Sequence, residues 1–249
     1  MSKSFAAAVA DIASDTPPTV AARKASAPVV EESLNLPAPI PSGDGGFSGE
    51  MDKSDLIIPR LAIVQKVGDL SEMFPGGTIL INKRLVVAPF GQAVTLTIVR
   101  ARKYFMEIRA YGDEIRPKVF ETHKEVEAAG LTMEPKWKTG IDATAKPVLD
   151  CVVAIHGAAG NDTAPEFAMV HEGKRYALAL WSLSSPSAYN AAGKSLLSAR
   201  QMYLKSFVEQ SWNLTVSKAK FGSNSVFIPE VTPAALNSES LRAYFDSIV

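Results

Sequence analysis

The stretch from Ala93 to Arg109 constrains the fold most. It opens as Val94-Thr95-Leu96-Thr97-Ile98, apolar residues alternating with threonine, and runs on without proline or glycine. Alternation with period two and β-branched residues marks a half-buried strand. Shorter runs of the same kind recur: Leu56–Val64, with Pro59 suited to an edge or a bulge; Thr78–Ile81 after the turn Pro75-Gly76-Gly77; Arg84–Ala88; Val148–Ile155; Glu166–His171; and Arg175–Leu183. The last is apolar on both faces, as a central strand is. A hairpin is predicted from Trp212-Asn213-Leu214-Thr215-Val216 through a turn near Gly222 to Val226-Phe227-Ile228-Pro229. Residues 132–147, with Pro135, Gly140 and Pro147, read as a loop.

Three helices break this series. Thr122-His123-Lys124-Glu125 has capping-box form, and Gly130 can end that short helix. Ser185-Pro186 begins a long one, with serine as cap and proline in the first turn. Its predicted buried stripe is Tyr189, Ala192, Leu196, Ala199, Tyr203 and Phe207. A short terminal helix places Leu241, Tyr244, Phe245 and Ile248 on one face. Strands and helices do not alternate regularly, which excludes a doubly wound parallel sheet. The expected class is α+β and β-rich: an OB-like curved antiparallel sheet or small barrel with one long helix. Residues 1–50 hold six of the sixteen prolines and few large apolar side chains. They are expected to form a disordered Ala/Pro-rich arm. Residues 51–231 are expected to form the β-rich domain and 232–249 the C-terminal amphipathic helix.

The chain of 249 residues is 47% hydrophobic, enough for a real core, and its formal net charge is zero. The zero hides an asymmetry. Residues 1–58 carry four cations and eight acids, whereas residues 174–220 carry seven cations against Glu209 alone. That distribution suits a polyanionic partner. Cys151 is the only cysteine, so no internal disulfide can form. It lies in an apolar strand run, which reads as a buried structural thiol in a reducing compartment. Phe5–Ala10 is too short for a signal segment, and no stretch reaches membrane-spanning length. No P-loop or nucleophile elbow occurs. His123, His156 and His171 have no metal-ligand spacing. Neither enzyme activity nor a cofactor or metal is therefore expected.

The positive signal is a basic and aromatic run, Arg100-Ala101-Arg102-Lys103-Tyr104-Phe105, continuing to Arg109. On a strand, Arg100, Arg102 and Tyr104 share one side, and Ala101, Lys103 and Phe105 share the other. One reading is an ordinary half-exposed strand with solubilising charges. The other is a groove strand, where cations neutralise phosphates and a ring stacks on a base. A second group comprises Lys194, Lys205, Lys218 and Lys220, with Trp212 close by in sequence. Trp212 alternates with Leu214 and Val216, the pattern of a core residue.

Three segments carry a resemblance to bacteriophage-encoded single-stranded-DNA-binding proteins. They are Ile57-Ile58-Pro59-Arg60-Leu61-Ala62-Ile63-Val64-Gln65, Trp181-Ser182-Leu183-Ser184-Ser185-Pro186-Ser187-Ala188-Tyr189 with its downstream helix, and Trp212–Thr215 with Val226–Pro229. The resemblance spans roughly residues 50–230. It implies an OB-like fold, single-stranded DNA as partner, and a role in phage DNA replication or recombination in the host-cell cytoplasm. It also implies contact with other replication or recombination proteins. Such binders often end in a strongly acidic tail, whereas this chain ends in Arg242-Ala243-Tyr244-Phe245-Asp246-Ser247-Ile248-Val249. A structural or virion assembly protein, whose arm straps a neighbouring subunit in a homo-oligomer, is the alternative. An enzyme with an unrecognised site, or a protein-binding inhibitor, is the third class.

Overall fold

The computed structural model describes residues 58–248, except 111, 135, 222 and 223, and leaves aside the side chains of Trp137, Phe221 and Asn224. The expected N-terminal arm lies outside the described residues. The strands are β1 (Leu61–Ile63), β2 (Ile79–Ile81), β3 (Leu85–Ala88), β4 (Val94–Glu107), β5 (Val119–Phe120), β6 (Ala145–His156), β7 (Met169–His171), β8 (Lys174–Leu183), β9 (Gln210–Phe221) and β10 (Asn224–Leu236). Short helices α1 (Leu70–Met73), α2 (His123–Ala128) and α3 (Lys136–Thr139) lie between them. The segment 132–147 is thus not all loop: it contains α3 and the start of β6. Of Glu166–His171, only Met169–His171 pairs as a strand.

The strands form a β-rich α+β fold. A seven-stranded sheet has the order β10-β9-β4-β6-β8-β7, with β5 on the edge of β4. Its ladders are antiparallel. β1, β2 and β3 make a second antiparallel sheet. Pro59 precedes it, and its carbonyl accepts from the Leu180 N–H of β8 at 2.6 Å. Of the expected run Leu56–Val64, only Leu61–Ile63 pairs as a strand among the described residues, and Pro59 lies outside it.

The sheets do not close into a barrel, so of the two expected forms the open one is found. The physical reason lies at β10. Its outer edge meets a side chain, not a strand: the Gln65 amide donates to the Phe227 carbonyl at 2.9 Å and accepts from the Phe227 N–H at 3.0 Å. One amide mimics one rung of a ladder, and among the described residues no strand pairs with that edge.

β4 and β6 form the centre. Their register slips between Ile98 and Arg100, which pair with Val153 and Val152 in turn. Val99 is the extra residue of a β-bulge. The slip shifts the alternation by one position. Leu96, Ile98 and then Ala101 all join the main core, while Val99 packs with a second cluster on the far side. Without the bulge, Arg100 and Arg102 would fall on the same face as Leu96.

The main core unites Cys151, Val153 and Ile155 of β6, Ala179 and Trp181 of β8, and Trp212 and Leu214 of β9 with β1–β3 and the long helix. That helix is α over Pro186–Ala188, π over Tyr189–Gly193 and α over Lys194–Met202. Ser185 caps it, its hydroxyl accepting from the Ala188 N–H at 3.2 Å, with Pro186 in the first turn. In the π segment the Lys194 N–H reaches Tyr189 O. A Cβ on Gly193 would lie 3.1 Å from the Tyr189 ring, so glycine lets that ring lie against the helix. Tyr189, Ala192 and Leu196 are buried as the stripe requires. The stripe then stops short: Tyr203 is 81% exposed and Leu204 is buried in its place. The helix has ended at Met202, and beyond it the Arg200 guanidinium donates to the Leu204 carbonyl at 2.8 Å.

On the other face Ala154, Tyr176, Val208 and Phe245 make the second cluster. The C-terminal helix Glu239–Asp246 supplies Phe245, and Leu241, Tyr244 and Ile248 pack beside it, as its spacing predicts. Burying one such phenylalanine is worth roughly 1.5–3 kcal/mol. Asn237 anchors the approach to this helix. Its side-chain amide donates to Val208 O at 2.8 Å and to Thr97 Oγ1 at 3.2 Å. Thr97 in turn lies 3.1 Å from His156 Nε2. Burial, and then the nearby Lys174, push the His156 imidazole down to about 4.

Two outcomes are expected. The unfolded chain takes up a proton at His156 near pH 6.5, before the folded one does. Stability from this group is therefore complete above that pH and is lost as pH falls towards 4, by up to about 3 kcal/mol. Urea unfolding between pH 7.5 and 4.5 should show a shallower acid loss for His156→Gln than for the parent. Gln65→Ala removes both bonds to Phe227 and should cost about 1–2 kcal/mol in the same assay at neutral pH.

Candidate nucleic-acid interface

The predicted residues sort onto two sides of β4. On the side of Tyr104, Arg100 and Arg102 are exposed. Arg102 pairs with the Glu121 carboxylate, and its guanidinium carbon lies 5.5 Å from the Tyr104 ring centroid. The Tyr104 hydroxyl donates to Asp150 Oδ2 at 3.0 Å. Burial, and then the Asp150 charge, push that phenol above its ordinary value. Arg109 lies against Glu107 at 3.0 Å and Asp113 at 3.2 Å. Hydrogen bonds to Asp113 and then Glu107 raise its pKa. Both carboxylates are held below their usual range, chiefly by the Lys118 and Ile115 backbone N–H groups respectively. Two of the predicted cations thus already face acids within the chain.

On the side of Phe105 the picture differs. Lys103 extends with its ammonium 5.4 Å from the Phe105 ring centroid. Phe105 itself is buried with Val126 and Ala145, so its face is closed to a base. The α2 lobe closes it. The predicted cap forms, with the reciprocal bond one residue earlier than in a capping box: the Thr122 hydroxyl accepts from the Glu125 N–H at 3.3 Å, and the Glu125 carboxylate accepts from the Glu121 N–H at 3.1 Å. This fixes His123, exposed, edge-on to Phe105.

Between this lobe and the long helix lies a cleft of about 680 Å³. Lys103, His123, Met133, Pro186, Tyr189 and Lys194 are among its walls. Pro186 and Asn190 also line a second depression, of about 540 Å³, with Val226 and Ile228 of β10. The two share residues and so follow one another across the first turns of the long helix. The cleft brings together Lys103 and Lys194, one from each predicted cation group.

The other predicted residues lie elsewhere. Lys205 is exposed beyond the long helix, its backbone N–H donating to Glu209 at 2.9 Å. Lys218 and Lys220 are exposed on β9, opposite Phe227 and Ser225 of β10. They share the Phe227 side of the hairpin, not the side of Val226 and Ile228. Trp212 is 2% exposed, and its indole N–H has no hydrogen-bond partner among the described residues. It is a core residue and offers no stacking face. Sequence reasoning missed His123, Met133 and Asn190 as cleft residues. Only the capping box hinted at one of them, since it fixes where α2 begins.

Among the described residues no group of three or more His, Cys, Asp or Glu could hold a metal ion. No helix among them is long and apolar enough to cross a membrane. Cys151 is fully buried, and burial and then Asp150 push its thiol up to about 12. No family model, curated protein or solved structure matches the chain.

The thiolate is the reactive form of cysteine, so Cys151 should be silent in the native state. Addition of an aromatic disulfide reagent at pH 8 should release no thiol signal until denaturant is added. Prompt labelling of the folded protein would contradict the packing described for β6.

Proposed function

We propose that this chain binds single-stranded DNA through the cleft between the α2 lobe and the long helix, in the service of DNA replication or recombination. The observation that carries this reading is the meeting of Lys103 and Lys194 on one cleft, from positions far apart in sequence. Two ammonium groups at the walls suit phosphates, because each neutralised phosphate releases condensed counterions. Met133, Pro186 and His123 supply apolar and ring surface for unstacked bases. The continuation past Asn190 to Val226 and Ile228 gives an extended strand somewhere to run. Arg102 and Arg109 contribute less in this reading, since a phosphate would have to compete with Glu121, Glu107 and Asp113.

Fluorescence anisotropy of a labelled oligonucleotide at several salt concentrations tests the reading. The double variant Lys103→Ala with Lys194→Ala should lower the slope of log affinity against log salt by about 1.4, roughly 0.7 per lost phosphate contact. Arg109→Ala should leave the slope nearly unchanged. Folded protein that does not hold single strands at low salt would end the proposal.

A further inference from the structure

A second pocket, of about 360 Å³, opens on the opposite side of β4 from the cleft. Its size falls in the lower part of the roughly 300–1,000 Å³ range of small-ligand sites. Arg60, Lys83, Tyr104, Asp150, Leu180 and Ser182 line it. Three features set it apart from an ordinary surface dent.

The first is Asp150. One carboxylate oxygen takes the Tyr104 hydroxyl, and the other, Oδ1, is buried without a partner among the described residues. A buried acceptor left unmet is costly. The terminal torsion of aspartate is soft, so a small turn of the carboxylate offers this oxygen to a donor in the pocket.

The second is the turn joining β2 to β3. Arg84 N–H bonds to Ile81 O at 3.1 Å, and both central residues have positive φ, Asn82 at 52° and Lys83 at 59°. Asparagine tolerates this and glycine favours it, whereas a lysine is strained there. Strain kept where glycine would serve points to a use for the side chain.

The third is rigidity. The Arg60 N–H donates to Asn82 Oδ1 at 3.1 Å, and the Asn82 N–H donates to Arg60 O at 2.9 Å. Arg60 also bridges Leu180 of β8. The two cations are therefore mounted on one braced frame beside the sheet that carries Asp150.

We propose that this pocket binds a nucleoside monophosphate, with its phosphate between Arg60 and Lys83 and a base N–H donated to Asp150. Leu180 and the Tyr104 ring give the apolar side that a base covers and a bare phosphate does not. The site is independent of the cleft: Lys103 and Lys194 do not line it. Charges nearby are Arg102 and Glu121, which satisfy one another.

Titration calorimetry of the full chain with guanosine monophosphate tests the proposal, with inorganic phosphate and guanosine as separate arms. Guanine is chosen because it carries adjacent N–H donors. One saturable site is expected for the nucleotide, at least tenfold tighter than for either fragment. Lys83→Gly should melt at or above the parent temperature, since glycine relieves the turn, yet bind the nucleotide at least tenfold more weakly. Asp150→Asn, which can still accept from Tyr104, should lose nucleotide affinity and leave phosphate affinity unchanged. Phosphate binding as tightly as the nucleotide, unchanged binding by folded Lys83→Gly, or no heat at millimolar nucleotide would each overturn the assignment. The Lys103 and Lys194 double variant should bind the nucleotide as the parent does, which separates this site from the cleft.

Discussion

The antiparallel ladder between β4 and β6, with its slip at Val99, sets where everything else can sit. β4 is apolar at its start and basic at its end, and a regular strand would carry both characters on one face. The extra residue rotates the second half by one position. The core then receives Leu96, Ile98 and Ala101, and the two arginines turn to the opposite side with Tyr104. Burying Arg100 and Arg102 without partners would cost several kcal/mol each. The bulge avoids that cost while keeping a continuous pairing partner for β6, which pairs with β8 without interruption from Leu149 to His156.

Charge on this protein is local in its meaning. The zero net charge conceals two kinds of cation. Arg102 and Arg109 are engaged by acids within the same chain and act mainly to hold β4, β5 and the following loop in place. Lys103 and Lys194 stand at the walls of a cleft. An exposed pair such as Arg102 with Glu121 contributes only about 0–1 kcal/mol to stability, whereas Arg109 and Glu107 are largely buried against one another. Lysines mounted on a strand and on a capped helix need less reordering when an anion arrives.

Much of the architecture could be read from residues alone. The long strand, the capped helix at Ser185, the cap at Thr122 and the buried stripe Leu241, Tyr244 and Phe245 all follow from local pattern and chemistry. What could not be read is non-local. Nothing in Ile98-Val99-Arg100 announces a bulge, because a slip depends on the partner strand. The long helix was carried too far, since its apolar spacing runs on to Phe207 whereas the helix stops at Met202 and Leu204 turns inward instead. The exposure of rings was the largest gap. Phe105 and Trp212 have the composition of stacking residues, but the α2 lobe covers the first and the main core seals the second. The meeting of Lys103 with Lys194 needed the tertiary fold, as sequence distance carries no hint of it.

The Gln65 amide has a mechanical consequence. A true strand would zip the outer edge of β10 along its length, and separating it would require several bonds to break together. Here one side chain acts as a clasp on a seam. The backbone of that edge is thereby held at one point, beside the Phe227 ring that the main core and Phe90 already grip.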